Sequence, residues 1–182
     1  KLRADNPDTG GYAYKAQTRD IAVVELLFAT GIRVSELCEL SCDAVDLKQA
    51  TIKVFGKGSK ERVIQICSVE VLKILRQYQR LFAPSKCFFI NRLGNRLSSQ
   101  SVRLLIKRCR EEIGIGKKIT PHTFRHTFAT LLLEEDVDIK YIQNLLGHSS
   151  ITTTQIYTHV NMNKQKKILS SKHPRKKMEM EE

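Results

Sequence analysis

The chain has 182 residues, 41% of them hydrophobic, which is one domain's worth of sequence and enough to bury a core. No apolar run reaches membrane-spanning length and no signal-peptide pattern stands at the start, so the expectation is a soluble, cytoplasmic protein. Lys and Arg total 31 against 19 Asp and Glu, a formal net charge of +12; such a surplus speaks about partners, and nucleic acid is the commonest polyanion that answers it. Part of it is a basic tail made of Lys164, Lys166, Lys167, Lys172, Arg175, Lys176 and Lys177, which also fits a solvated end.

Residues 1–16 carry Asn-Pro, Gly-Gly and few apolar side chains, and read as an irregular lead-in or linker. From about Thr18 the pattern Ile21, Val24, Leu27, Phe28 predicts a helix that Gly31 ends, and a second helix begins at Arg33. Thr51–Phe55 and Arg62–Ile66 alternate and are rich in β-branched residues, with G-K-G-S-K between them. This is a hairpin with a glycine-rich tip. Ser68 caps a helix to about Phe82, Cys87–Ile90 is a short strand-like run, and a turn follows at Gly94–Asn95. Ser98 opens a helix that Gly114 closes. Thr120 followed by Pro121 starts a helix to about Glu135, and Asp138 caps the next, which Gly147 stops. Ser149 or Ser150 starts a helix holding Tyr157, and Lys164–Ser170 forms a last short one. The fold class is therefore mainly α with a small antiparallel β-sheet, an α+β chain without internal repeats.

The five cysteines, Cys38, Cys42, Cys67, Cys87 and Cys109, are odd in number and contain no C-x-x-C pair. Small reduced core residues explain them better than a metal site does.

The densest chemistry lies in T-P-H-T-F-R-H-T-F-A-T, residues 120–130. His122 and Arg125 stand at i,i+3 and share a helix face, and His126 stands at i,i+4 from His122. Two histidines at that spacing could hold zinc, but the metalloprotease form requires Glu after the first His, where Thr123 stands, and no third ligand is evident. An anion fits better: Arg125 offers a planar fork for phosphate oxygens, and His122 can donate a hydrogen bond or move a proton. Downstream, L-L-G-H-S-S-I-T-T-T-Q-I-Y-T-H places His148 at a helix break and Tyr157 beyond it. Upstream, T-G-I-R-V-S-E-L puts Arg33 just past a helix stop, and the hairpin tip carries Lys57. Taken singly, each of these would more often be a surface or packing residue. His126 and His159 are given no part in the chemistry, and His126 is assigned to hydrogen bonding within the helical core.

Together, T-G-I-R-V-S-E-L, G-K-G-S-K-E-R, H-T-F-R-H-T-F-A-T and L-G-H-S-S-I-T-T-T-Q-I-Y-T-H resemble the catalytic domain of the tyrosine recombinase (phage integrase) family. The set is closest to Xer-type recombinases and conjugative-transposon integrases, and it covers residues 17–163. The resemblance implies the tyrosine recombinase catalytic-domain fold and a site-specific recombinase or integrase that cleaves and rejoins DNA through a 3′-phosphotyrosine, without metal, ATP or other cofactor. By that resemblance Arg33 and Arg125 clamp the non-bridging oxygens of the scissile phosphate, and His148 is a third phosphate ligand. Lys57 is the general acid for the leaving 5′ oxygen, His122 the acid/base residue, Tyr157 the nucleophile, and Glu36 the supporting carboxylate. The implied partners are a double-stranded DNA recombination site, a homo-tetramer on that DNA, and accessory DNA-bending or directionality proteins. The segment 164–182 would dock in trans on a neighbouring protomer, and no counterpart of the family's N-terminal core-binding domain is expected in residues 1–16. Two rivals remain at this stage: a type IB topoisomerase, and a DNA-binding module that does not cut.

The chemistry is consistent with these roles. Two guanidiniums and an imidazole supply pre-placed positive charge for a phosphodiester transition state. A tyrosine with an ordinary pKa of about 10 needs its proton drawn off near neutral pH, and the departing alkoxide needs one delivered.

Overall fold

The computed structural model describes residues 11–55, 61–147 and 170–171. Six α-helices, α1 (Tyr12–Thr30), α2 (Val34–Glu39), α3 (Val69–Phe82), α4 (Ser99–Ile113), α5 (Pro121–Glu134) and α6 (Ile139–Leu146), accompany a three-stranded antiparallel sheet in the described residues. The strands β1 (Val45–Asp46), β2 (Thr51–Phe55) and β3 (Glu61–Gln65) lie in chain order, with Val45 opposite Ile52, Ile52 opposite Ile64 and Val54 opposite Arg62. The hairpin expected from sequence is β2–β3. The short β1 was not anticipated, because a two-residue strand leaves no alternation to read.

Helix α1 is the central element and packs on α3 and α5. Its Ala22, Val23, Leu26 and Leu27 are fully buried, in one cluster with Ile52, Ile64, Leu75, Tyr78, Phe88, Phe89 and Val102. Each large aliphatic or aromatic side chain in it contributes about 1.5–3 kcal/mol of transfer free energy. A second cluster, Phe128, Leu132, Val137, Ile142, Leu145 and Leu146, joins α5 to α6. The end of α1 abuts it: a Cβ built on Gly31 would lie 2.8 Å from both Leu146 Cδ2 and Phe128 Cδ1. The corner there is therefore a glycine for two reasons, its left-handed φ of 60° and the lack of room.

The expected helix starts are present. Ser68 Oγ accepts from the Val71 amide, Ser98 Oγ from Ser101, Thr120 Oγ1 from Thr123, and Asp138 from Lys140 and Tyr141. Gly31, Gly114 and Gly147 end α1, α4 and α6 in the left-handed region. The irregular lead-in expected up to residue 16 is corrected, because α1 already begins at Tyr12. Its first turn has no apolar stripe. It is anchored instead by polar contacts: Gln77 of α3 donates to the Tyr14 hydroxyl, and Thr18 Oγ1 donates to the Tyr14 carbonyl at 2.9 Å. The Cys87–Ile90 run is not a strand but makes isolated bridges, Ser41 with Cys87 and Ile90 with Arg96. Cys38 and Cys109 are buried, and Cys42, Cys67 and Cys87 half-buried, all reduced. The helix expected around Tyr157 and most of Lys164–Ser170 lie outside the described residues; Ser170 and Ser171 are helical.

Candidate phosphate-binding site

The site is built on the corner between α1 and α2. Thr30 Oγ1 donates to the Leu26 carbonyl at 2.6 Å and accepts from the Ile32 amide at 3.2 Å, which fixes the chain as Gly31 turns it. Arg33 then occupies the N-cap of α2. Glu36, at the third helical position, reaches back to the Arg33 amide at 3.0 Å and takes Arg33 Nη1 at 2.9 Å, the carboxylate half of a capping box. The sequence thus sets Arg33 on a rigid corner through residues within seven positions of it.

Arg125 comes from the second turn of α5 and is 7% exposed. Its Nη1 donates to the Gly31 carbonyl at 2.8 Å and its Nη2 to the Leu146 carbonyl at 2.6 Å. Arg33 Nη2 donates to the Gly147 carbonyl at 2.8 Å. Arg62, at the start of β3, donates from Nε to the Leu145 carbonyl at 3.2 Å. Three consecutive carbonyls at the C-terminus of α6 are therefore each met by one guanidinium. That end of a helix carries partial negative charge and unmet acceptors, so cations belong there.

One carboxylate balances this cationic cluster. Arg62 Nη1 donates to Glu36 Oε1 and Arg62 Nη2 to Oε2, both at 2.8 Å. With Arg33, the carboxylate accepts four hydrogen bonds, which fills its capacity. Burial pushes the Glu36 pKa up, but the hydrogen bonds from Arg62 and from the Arg33 amide, with the charges behind them, outweigh it and hold the carboxyl below its ordinary value. Arg125 is shifted down to about 10, first by burial and then by the like charges of Arg33 and Arg62, with Glu36 opposing. At neutral pH the Arg125 guanidinium therefore remains charged and Glu36 is ionised.

Of the residues expected from sequence, Arg33, Glu36 and Arg125 are brought together from α2 and α5. His122 stands on the first turn of α5, exposed, one turn before Arg125. His126 is also exposed, which corrects its assignment to the helical core: i,i+4 from His122 places it on the same exposed side of α5. Lys57, His148 and Tyr157 lie outside the described residues, although β2 and β3 flank Lys57 and His148 directly follows Gly147. Arg62 was missed. It closes the G-K-G-S-K-E-R motif, but an arginine at a strand edge ordinarily points to water, and only the tertiary fold brings Glu36 to it. Among the described residues no three His, Cys, Asp or Glu side chains gather as a metal site would require. No described helix is long and apolar enough to cross a membrane.

The family model described as phage integrase family matches residues 6–164. A tyrosine recombinase of Agathobacter rectalis is 54% identical over 169 residues, covering 91% of this chain and 55% of the relative. Tyrosine recombinase XerC of Thermodesulfovibrio yellowstonii is 45% identical over 165 residues, covering 86% of this chain and 55% of the relative. The crystal structure of XerA recombinase superposes with a TM-score of 0.69 at 36% identity, over 89% of this chain and 61% of that one. The chain thus spans about half the length of the curated relatives it matches, and the catalytic-domain fold expected from its motifs is the fold it has.

Proposed function

The chain belongs to the phage integrase family, and we propose that it is the catalytic part of a site-specific DNA recombinase that cuts and rejoins strands through a phosphotyrosine. The carrying observation is that Arg33 and Arg125, ninety-two positions apart in sequence, are held on adjacent carbonyls, Gly147 and Leu146, at the threshold of His148. The charge is in place before any substrate arrives. Pre-organised donors of this kind are typically worth about 10²–10³ in rate each.

In this reading Arg33 and Arg125 hold the non-bridging oxygens of a DNA phosphodiester, and His148 adds a third donor. His122, on the exposed start of the same helix as Arg125, takes the proton of the Tyr157 hydroxyl. The phenolate oxygen forms a bond to phosphorus while the bond from phosphorus to the 5′ oxygen breaks, and Lys57 delivers a proton to that oxygen. The product is a 3′-phosphotyrosine and a free 5′ hydroxyl. The phosphoester linkage is conserved, so a 5′ hydroxyl of a second strand reverses the step without ATP. The protein works on double-stranded DNA as a tetramer, and 164–182 docks on a neighbouring protomer.

The test uses a pool of nicked duplexes whose central segment is randomised, so that cleavage releases a short strand and traps the adduct. Complexes that survive boiling in detergent are isolated and their DNA sequenced. The native chain forms an adduct on a defined subset of sequences, and Tyr157→Phe forms none. Adduct formation by Tyr157→Phe, or its absence from the native chain across the pool, overturns the reading. Joining of the trapped strand to a second duplex separates recombination from relaxation of a single nicked duplex.

A further inference from the structure

We infer that Arg62 is a positioning residue of the cleavage site: by clamping Glu36 with both terminal nitrogens and holding the Leu145 carbonyl with Nε, it sets the orientation of Arg33 and of the chain that leaves α6 toward His148. The inference rests on the proposed strand cleavage and adds to it a residue that never touches DNA.

The geometry is that of a fork. Nη1 and Nη2 each meet one oxygen of Glu36 at 2.8 Å, and Nε points the other way, to Leu145. A guanidinium can do this because its N–H groups lie in one plane in a fixed fan; an ammonium cannot. The Arg62 side chain is 15% exposed and that of Glu36 4%, so water is a poor substitute for either partner. The contact is close enough to select the neighbouring residue as well. A Cβ on Gly147 would come within 2.8 Å of Arg62 Nη1, and Gly147 already has a φ of 68°. The residue before His148 is thus shaped by Arg62.

The consequence for Arg33 follows from counting acceptors. Glu36 has room for about four hydrogen bonds, and Arg62 takes two of them. Arg33 is limited to one guanidinium contact with Glu36, through Nη1, plus its amide. Without Arg62, two strong acceptor positions open on a buried carboxylate beside Arg33. Arg33 would turn to satisfy them in a fork of its own, and so turn away from the phosphate. Arg62 therefore keeps Arg33 outward by saturating the carboxylate. It also lies five residues past Lys57 on the same hairpin, so the contacts that fix the α2 corner and the end of α6 also fix the base of that hairpin.

The experiment is single-turnover cleavage at saturating duplex, using a nicked substrate recovered from the pool, with DNA affinity measured in parallel. All rates are read at a temperature where melting curves show each variant folded. Arg62→Gln should retain DNA affinity within about three-fold while its cleavage rate falls about 100-fold, the order expected when reacting groups are misplaced by an ångström. A purely structural role would lower the melting temperature and leave the rate per folded molecule unchanged. In Glu36→Gln combined with Arg62→Gln, the carboxylate that would capture Arg33 is gone. The double variant should then cleave no more slowly than Arg62→Gln alone. The groups facing Glu36 are Arg33 from its own helix, Arg62 from β3 and Arg125 from α5. Protonation of Glu36 releases that capture, so Arg62→Gln should lose less rate toward acid than the double variant, whose amide does not titrate. Should Arg62→Gln fail to fold, Arg62→Lys carries the test: it keeps the charge but not the fork, and should lose about ten-fold in rate. Cleavage within about three-fold of native by the folded variant, or single losses that multiply in the double variant, overturns the inference. Failure of the native chain to cleave overturns the parent reading instead, so the two failures are distinct.

Discussion

Gly31 and Gly114 offer a controlled pair. Both are helix-ending glycines in the left-handed region, with φ of 60° and 77°. Alanine at either position bears the same backbone cost of roughly 1–2 kcal/mol. Their surroundings differ. Nothing lies within 4 Å of a Cβ on Gly114, whereas one on Gly31 meets Leu146 Cδ2 and Phe128 Cδ1 at 2.8 Å. Phe128 is 1% exposed and Leu146 4%, so neither side chain has free space to retreat into, and overpacking of this kind adds about 1–3 kcal/mol. Gly31→Ala should cost about 2–5 kcal/mol in all, and Gly114→Ala about 1–2. In a chain of this size, where 1 kcal/mol moves the melting temperature by about 2–4 °C, the two variants should melt roughly 2–12 °C apart. The assay is thermal unfolding followed by circular dichroism, with urea titrations to check that the slope is unchanged. Because Gly31 also presents its carbonyl to Arg125, Gly31→Ala should slow cleavage as well, and Gly114→Ala should not. Equal destabilisation of the two variants would refute the contact argument, and a larger loss at Gly114 would refute the packing described for the end of α1.

Three further outcomes are expected. Glu36→Ala leaves three guanidiniums without their carboxylate and should cost about 3–5 kcal/mol; denaturant titration checks it, and a loss below about 1 kcal/mol would show that the ion pairs contribute nothing. Because the Glu36 pKa is held below its ordinary 4.5, its stabilisation is complete above pH 4.5 and is lost as pH falls through the lowered value. The native chain should therefore lose stability more steeply below pH 4.5 than Glu36→Gln does, and parallel curves would contradict this. Tyr78 donates to the Phe88 carbonyl and accepts from the Ile90 amide, each at 2.9 Å, and burial pushes its pKa up to about 12. Tyr78→Phe should cost roughly 1–3 kcal/mol by leaving those groups unpaired, and the variant should be spared the part of the alkaline loss that Tyr78 contributes between its unfolded pKa of 10 and its folded value of about 12; a cost near zero in denaturant titration would sink the packing account.

Local rules made much of the fold legible. Ser68, Ser98, Thr120 and Asp138 announce helix starts because a short polar side chain before an amphipathic run has one good use, to accept from the free amides. Gly31, Gly114 and Gly147 announce ends because few other residues adopt a left-handed φ cheaply. The hairpin was equally readable from two β-branched runs around a glycine-rich turn. What escaped reading was set by tertiary contact. The first turn of α1 is helical because Tyr14 has a partner on α3, sixty-three positions away. His126 looked internal by its position in an apolar motif, yet its side of α5 faces solvent. In the site, the motifs named Arg33, Glu36 and Arg125 as residues, but not the α6 carbonyls that hold them. Backbone acceptors have no signature in the sequence.

That last point bears on how a cationic site survives before its anion arrives. Two guanidiniums bond one buried carboxylate and a third, Arg125, lies within reach of its charge, while burial and the repulsion of Arg33 and Arg62 already lower Arg125 to about 10. Left to solvent, long side chains under such repulsion would splay, and binding would have to reassemble them at an entropic cost of about 0.5–1.5 kcal/mol each. Here the cost is met during folding. Glu36 supplies the charge, and the end of α6 supplies a row of acceptors whose spacing the helix fixes. Leu145 and Leu146 are buried in the α5–α6 cluster, so the position of those acceptors is set by apolar packing and not by another flexible side chain. A mutation in that cluster, far from any phosphate, should therefore disturb Arg33 and Arg125 together. Phe128→Ala would be the direct case. It should cost about 3–5 kcal/mol and, at temperatures where the protein stays folded, slow cleavage more than it weakens DNA binding. A folded Phe128→Ala protein that cleaves at the native rate would show that the arginines are positioned by something other than the end of α6.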